Sequence, residues 1–449
     1  MPQRNLLLLF ATAVIAYACY VRAEQNPYAR YVAAGYSTID RWALQETPDQ
    51  ELFEGAMRGM VDVLRKAGDE HSAFVNQQRN GSFREELTQQ FGGVGVRIRL
   101  LGKPAVPTVV GPPQPGTPAF HADVRSGDRI LAINGQPSAD MTMNDVLRLM
   151  RGPVGESLTL AIQHEGETES QEIELTRATI IVDSIYGDLR DQDGNWIFRL
   201  EEDPRLGYVR ITTFGDKTVA ELMQVLADLT NADRGTPISA LIIDLRDNHG
   251  GALDAAVDIS DLFLRAGQTI VTTRGSDRVA RDRFVSTGRG DYTELELAIL
   301  INQESASASE IVAACLQDYG RALVIGQRTF GKGTVQRLFT HIEAGRSLLK
   351  LTTATYWRPS EQNIHRMPGD DDKATWGVRP NPGYEIPQDE QDYLQWRKYR
   401  SRRDLFGEKM GGALAAQLDK EDGSLPQSYV DPMLQRAVVH LQSRLTEGG

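Results

Sequence analysis

Two short stretches carry residues whose types and spacing could do chemistry. In "QESASASE", residues 303–310, Ser305, Ser307 and Ser309 alternate with alanines just before a helical run. In "GQRTFGKGTVQ", residues 326–336, Lys332 stands between two glycines after the apolar run "RALVIG". A helix N-terminus offers free N–H groups and a partial positive charge, so a serine there can be an exposed nucleophile with amides ready for an oxyanion. The same position also suits capping, and Ser with Glu three residues on, as in Ser307 and Glu310, is a capping box. Both readings are compatible with the run.

A serine hydroxyl is a poor nucleophile until a base takes its proton, and a lysine can serve if its pKa falls. An exposed lysine sits near 10.4, so work at pH 8 needs a fall of roughly 2–3, about 3–4 kcal/mol. Burial beside Phe330 and the glycines of "TFGKGT", with no acid adjacent in sequence, is a setting that would lower it. The competing reading is a phosphate-binding loop, G-x-x-x-x-G-K-[ST]. Gly326, Gly331 and Lys332 fit it, and "ALIIDLRD" could be its acidic strand. Position 333 is glycine, however, which has no hydroxyl for a metal ion, and Thr334 comes one residue late.

These residues need elements to hold them. From about 207, "GYVRIT", "ISALIIDLRD", "ELAILIN" and "RALVIG" read as buried strands alternating with helical stretches, the pattern of a largely parallel sheet covered by helices. Residues 91–178 have another texture. "FGGVGVRIRL" is glycine-rich and then alternates, "KPAVPTVVGPPQPGTP" reads as a Pro-rich loop or edge, and "SGDRILAINGQP" as a strand ending in an Asn-Gly turn. "MTMNDVLRLMRG" is an amphipathic helix capped by Thr142 or Asn144, and "SLTLAIQHEGETESQEIEL" a hairpin. Residues 24–90 read as helices, with Leu52, Phe53, Met57, Met60, Val61 and Leu64 at helical spacing, Asp49 as N-cap, Gly68 as stop and "NQQRNGS" as a loop. The tail, 387–449, reads as polar and helical, without visible chemistry.

Composition bounds the rest. The chain has 449 residues, 41% hydrophobic and 24% charged, enough for two or three globular domains. A net charge of −12 leaves no electrostatic footprint for nucleic acid. Arg4, the uncharged run "LLLLFATAVIAYACYV" and Ala23 form a targeting segment over 1–23, either a cleaved signal peptide or an uncleaved anchor. The body is therefore expected to be exported, to the periplasm or another extracytoplasmic space. Cys19 lies in that run without the leucine that a lipidation site usually has three residues earlier. The mature chain then keeps only Cys315, in an apolar helical stretch, so no internal disulfide is expected. No H-E-x-x-H or paired C-x-x-C occurs, and neither a metal site nor a cofactor is expected.

The run "INQESASASEIVAACLQDYGRALVIGQRTFGKGTVQ" resembles the core of the carboxy-terminal processing peptidases, also called tail-specific proteases. The resemblance implies Ser307 as nucleophile, Lys332 as general base and Gln336 as the residue that positions the lysine. Glu310 matches a glutamate that supports the site in part of that family. "DLRDNHGG" resembles the family's oxyanion loop, which implies Gly250 and Gly251, with the amide of Ala308, as the oxyanion hole. "FGGVGV" through "MRGPVGESL" resembles an inserted PDZ domain. Gly93, Val94, Gly95 and Val96 would receive a peptide C-terminus, and Arg151 would end the flanking helix. The fold implied is an α/β, crotonase-like peptidase core over 179–386 with a PDZ insert over 91–178 and an N-terminal helical region. The chain departs from the family at His249, where proline is frequent, at Glu361 after "YWRPS", and in the acidic "RMPGDDDKAT".

The expected activity is that of a serine endopeptidase acting on proteins or peptides with free C-termini, touching membrane only through an uncleaved anchor. A non-catalytic peptide or ligand binder on the same fold is the alternative. Oligomeric state and natural substrate are not legible in the sequence.

Overall fold

The computed structural model describes residues 10–17, 27–191, 194–340, 342–367, 369–371, 373–406, 414, 418, 420 and 429–447. Residues 10–17 are helical, and no helix among the described residues is long and apolar enough to cross a membrane. The expected cleavage point at Ala23 and Cys19 lie outside the described residues. The chain divides into two units, 1–77 with 337–352, and 78–336 with 353–449.

The first unit holds the helices Pro27–Trp42 and Asp49–Lys66, the second of which carries the predicted helical spacing, although Val61 is the sole buried residue along the two. Asp49 is the first helical residue rather than the cap, which is Pro48. Gly68, at φ +99°, turns the chain after the helix. Strand Ala73–Val75 pairs antiparallel with residues 348–350, and Asp69 accepts from the hydroxyls of Ser72 (2.5 Å) and Thr352 (2.8 Å).

The second unit is built on a five-stranded sheet in the order Ile185–Tyr186, Leu206–Ile211, Ala240–Asp244, Glu296–Ile301, Ala322–Gly326. The last four strands are parallel and the first is an antiparallel edge. Their near-continuous apolar sequence is what burial on both faces requires. One face packs on the helices Thr218–Thr230, Leu253–Asp261 and Ala308–Asp318 through Leu222, Leu226, Ile259, Val312 and Cys315. The other face is covered by the tail helix Pro432–Glu447, whose Met433, Ala437 and Leu441 meet Tyr208, Ile242, Ala298 and Leu300. The tail is thus a structural layer, which its polar composition concealed. It is also fixed by charge. Arg246 is buried between Asp244 (2.6 Å) and Asp431 (2.8 Å), and the Trp396 indole N–H donates to Asp431 (3.1 Å). Loss of one partner from such a buried network costs about 3–5 kcal/mol.

Residues 90–181 form a second compact core. Its sheet runs Ile98–Leu101, Val106–Val109, Arg129–Ile133, Ser157–Gln163, Gln171–Thr176, with Gln136–Pro137 paired to Arg129–Ile133. Val106–Val109 corrects the reading of that segment as a Pro-rich loop or edge. It is an interior strand, in which Pro107 stands opposite Leu100. Asn134 and Gly135, at φ +50° and +74°, make the expected tight turn. Thr142 caps the helix Met143–Met150 in a capping box with Asp145. Strands Gln90–Gly93 and Ala178–Ile181 pair antiparallel and close the ends of this segment. The expected loop "NQQRNGS" is instead part of the helix Gln77–Thr88, which leads into it.

Candidate active site

Strand Glu296–Ile301 ends in a turn that delivers Ser305, Ser307 and Ser309 to the start of helix Ala308–Asp318. The outer two serines are fully buried and structural. Ser305 accepts from the Asn302 N–H (3.0 Å) and donates to the Leu245 carbonyl (2.8 Å), and Ser309 donates to the Asn248 carbonyl (2.9 Å). Ser307 has a different backbone, φ +57° and ψ −114°. A non-glycine residue there is strained and must be held by its surroundings. The holders are on either side: the Ala306 N–H donates to the Asn248 carbonyl (3.0 Å), and the Ser307 N–H donates to Glu310 Oε2 (2.8 Å).

Glu310 connects this turn to the lysine loop. Its Oε1 accepts from the Thr329 hydroxyl (2.6 Å) and the Gly331 N–H (2.7 Å), and its Oε2 from the Lys332 N–H (2.8 Å) as well as that of Ser307. The Thr329 hydroxyl itself accepts from the Val378 N–H (2.7 Å), which leaves its proton for Glu310. Four donors meet two oxygens, so the arrangement suits an ionised carboxylate. Complete burial opposes the charge and raises the carboxyl from 4.5 to about 7, while the bonds from Thr329, Ser307, Gly331 and Lys332 hold it down. An acid therefore does stand at the lysine loop, contrary to the expectation drawn from its sequence neighbours, and it bonds the backbone. Phe330 is 52% exposed, so the shielding expected from it is not provided.

The glycines around Lys332 have steric reasons. A β-carbon at Gly333 would lie 2.1 Å from the His365 nitrogen, and one at Gly331 would lie 2.8 Å from the Trp376 ring. Close packing against His365, Arg366 and Trp376 thus explains the G-K-G pattern without a phosphate. Gln336, in strand Thr334–Phe339, donates to the Thr334 hydroxyl (2.8 Å).

The loop 244–251 approaches the same turn. Gly250 has φ +98°, and a β-carbon on it would lie 2.7 Å from Ser307 Cβ and 3.0 Å from the Ala308 nitrogen. Gly251 has φ +149° and would collide with the Phe214 carbonyl at 2.0 Å. The Gly250 N–H is engaged by Asn248 Oδ1 (2.8 Å), whereas those of Gly251 and Ala308 meet no acceptor among the described residues. His249 is 75% exposed and faces Glu304 at 3.8 Å. Asn248 and Thr329 are site residues that sequence reasoning missed. Asn248 lies inside the quoted "DLRDNHGG", but its role as a tie between two loops depends on their meeting in space.

The peptide-binding candidates lie on the other core. Gly93 is packed against the Phe91 ring and Val94 is buried, its carbonyl accepting from the Ala119 N–H (2.9 Å). Gly95, at φ +86°, has no room for a β-carbon beside Thr117, and its carbonyl accepts from the Gln114 N–H (3.0 Å). The amides of Gly95 and Val96 donate to nothing among the described residues. The strand that follows, Ile98–Leu101, is at the edge of its sheet. Arg151, after the helix Met143–Met150, reaches Glu85 (3.5 Å) and lies over the Phe91 ring (4.3 Å).

A parallel α/β core that presents a strained serine and a glycine loop, joined to a β-rich domain with an edge strand after its glycine-rich loop, defines the class: a serine peptidase carrying a peptide-binding module. Residues 205–380 match the family described as Peptidase family S41, and residues 109–164 match the PDZ domain. The carboxy-terminal-processing protease of Bartonella bacilliformis is 32% identical over 421 residues, 93% of this chain and 88% of that protein. The carboxy-terminal processing protease CtpA of Bacillus subtilis is 29% identical over 358 residues, 78% and 68%. The solved photosystem II D1 C-terminal processing protease is 24% identical, with 82% of this chain and 96% of that one covered and a TM-score of 0.43. The chain belongs to the carboxy-terminal processing proteases of peptidase family S41.

Proposed function

We propose that this peptidase works through a Ser307–Lys332 dyad on the tails of exported proteins. The observation that carries the reading is Glu310, which binds the backbone N–H of both Ser307 and Lys332, each at 2.8 Å, and so ties the two loops to one carboxylate. Ser307 Oγ attacks the scissile carbonyl while the Lys332 amine takes its proton. The oxyanion of the tetrahedral intermediate is received by the amides of Gly251 and Ala308, joined by Gly250 once Asn248 releases it. Lys332 then protonates the leaving amine, and a water activated by the same amine hydrolyses the acyl-enzyme. Gln336 orients the Lys332 side chain. No cofactor enters any step.

The PDZ domain, taken as 91–178 beside a peptidase core over 179–386, captures the free C-terminus of the substrate. The unengaged amides of Gly95 and Val96 suit a carboxylate, and the position of Ile98–Leu101 at the edge of its sheet suits an added strand. The apolar N-terminus directs the chain out of the cytoplasm, as a cleaved signal or an anchor. The test is labelling of the purified protein by a fluorophosphonate together with cleavage of a tailed peptide. Labelling and cleavage that are both lost in Ser307→Ala support the dyad. Peptide binding without labelling or cleavage by the unaltered chain would instead make it a non-catalytic binder.

A further inference from the structure

A cleft of about 540 Å³ opens beside the Gly95–Val96 loop, between the PDZ domain and the start of the peptidase core. It is distinct from the groove between the edge strand and its flanking helix, since no residue of Ile98–Leu101 or Met143–Met150 lines it. Its charged lining, among the described residues, is Arg97, Arg190 and Asp183. Arg190 is anchored: it donates to the carbonyls of Asp404 (2.9 Å) and Gly194 and lies 3.9 Å over the Trp196 ring, which stacks on Tyr186 at 4.5 Å. The Arg97 carbonyl accepts from the Val110 N–H (2.9 Å), while its guanidinium has no hydrogen bond or ion pair among the described residues. It is near enough to Arg190 to oppose that residue's charge.

Asp183 sets one carboxyl against the two guanidiniums. It forms no ion pair within 4.0 Å, and burial raises its carboxyl despite the pull of Arg190 and Arg97. The indole N–H of Trp196 is buried and reaches no acceptor in bonding geometry, although it is close enough to Asp183 to favour the charged carboxylate. Behind the cleft, Arg210 is already paired with Asp404. The unengaged groups in the lining are thus mostly donors: the Gly95 and Val96 amides and the Arg97 guanidinium. A donor-rich, half-dry site with excess positive charge fits an anion with planar acceptors, which a guanidinium binds with two parallel bonds.

We propose that Arg97 and Arg190 form a subsite for an acidic side chain, aspartate or glutamate, among the last residues of the substrate tail. This rests on the reading of the Gly95–Val96 loop as the receiver of the terminal carboxylate. Arg97 directly follows that loop and precedes the edge strand, so it faces residues just upstream of the terminus. The subsite narrows the substrate class from any free C-terminus to tails carrying an acid near their end.

The experiment uses the full chain with Ser307→Ala, to hold peptides uncleaved, and fluorescence anisotropy of labelled tail peptides. Each peptide carries glutamate or glutamine at one of its last positions, and a free or amidated terminus. Replacing glutamate with glutamine is expected to weaken binding about five- to tenfold, a charge-assisted bond discounted for partial exposure. The same exchange should make no difference in Arg97→Gln, and Arg97→Lys should keep part of the preference. Amidation should weaken binding in all three chains. An equal loss from glutamate to glutamine in the parent and Arg97→Gln overturns the subsite, as does a parent that shows no preference. An Arg97-dependent glutamate preference in peptides whose affinity amidation leaves unchanged would keep the subsite and overturn the terminal-carboxylate reading.

Discussion

The carboxylate of Glu310 lies 2.8 Å from the backbone nitrogen of Lys332, 22 residues further along the chain. Through its other contacts it also fixes Ser307, Thr329 and Gly331. One buried acid thus ties together the two loops that the proposed dyad needs in register, and its charge state should be visible in both stability and rate.

The two responses have opposite signs. Burial raises Glu310 from 4.5 to about 7. Between those values the folded chain holds a proton that the unfolded chain has released. Linkage then makes its contribution to stability fall as pH rises through that window, by on the order of 3 kcal/mol. The ionised form is the one that four donors can bind, so cleavage should rise as stability falls. Glu310→Gln should flatten the difference in urea stability between pH 5 and pH 8. It should also be much less active at every pH, because an amide NH₂ would face N–H donors and forfeit about 1–3 kcal/mol per unmet group. Urea melts of parent and variant that keep the same pH slope would sink this assignment.

The serine run separates by backbone. Ser307→Ala should abolish cleavage and leave the fold intact. Ser305 and Ser309 bond loop carbonyls of Leu245 and Asn248 from fully buried positions. Their alanine variants should lose about 1–2 kcal/mol of stability and keep part of the activity. Peptide cleavage and thermal melts on the three variants decide it. An active Ser307→Ala beside a dead, folded Ser305→Ala would move the nucleophile.

Much of this was legible in the sequence, and the omissions have physical causes. The parallel sheet announced itself because strands buried on both faces are apolar throughout. Val106–Val109 hid because Pro107 reads as a breaker. The helix Gln77–Thr88 hid because Asn80, Gly81 and Ser82 read as a turn. The tail helix was visible as a helix but not as the cover of the sheet. Met433, Ala437 and Leu441 make a narrow stripe, and the partner of Asp431 is Arg246, 185 residues earlier. Ser307 and Lys332 could be suspected from their neighbours. That Glu310 joins them, and that Asn248 holds the Gly250 amide, are consequences of folding that no local pattern carries.

Lys332→Arg should be as inactive as Lys332→Ala. Arginine preserves positive charge but does not yield its proton, so it cannot serve as a base. The parent rate should climb toward mild alkalinity, and EDTA should leave it unchanged. Single-turnover cleavage by the three chains, with and without chelator, is the measurement. A working arginine variant or an EDTA-sensitive parent would sink the lysine-base mechanism.

The last prediction concerns Arg151, which links the end of the PDZ helix to the helix Gln77–Thr88 through Glu85 and to the strand Gln90–Gly93 through the Phe91 ring. If tail capture only tethers the substrate, Arg151 is a helix-end cation, and its loss should not alter cleavage of a short untailed peptide. If capture shifts the core between less and more active arrangements, the tail must bind the active one more tightly, and Arg151 lies on the path between groove and core. The gating reading expects Arg151→Ala to slow cleavage of a tailed peptide several-fold through kcat, while tail affinity measured with Ser307→Ala changes little. Glu85→Gln should reproduce the effect by removing the partner charge. It also expects a tail peptide added in trans to stimulate cleavage of the short untailed peptide, and amidation of that tail to abolish the stimulation. Untailed cleavage that is indifferent to added tail, with Arg151→Ala equal to the parent in kcat, would show that the domain tethers and does nothing more.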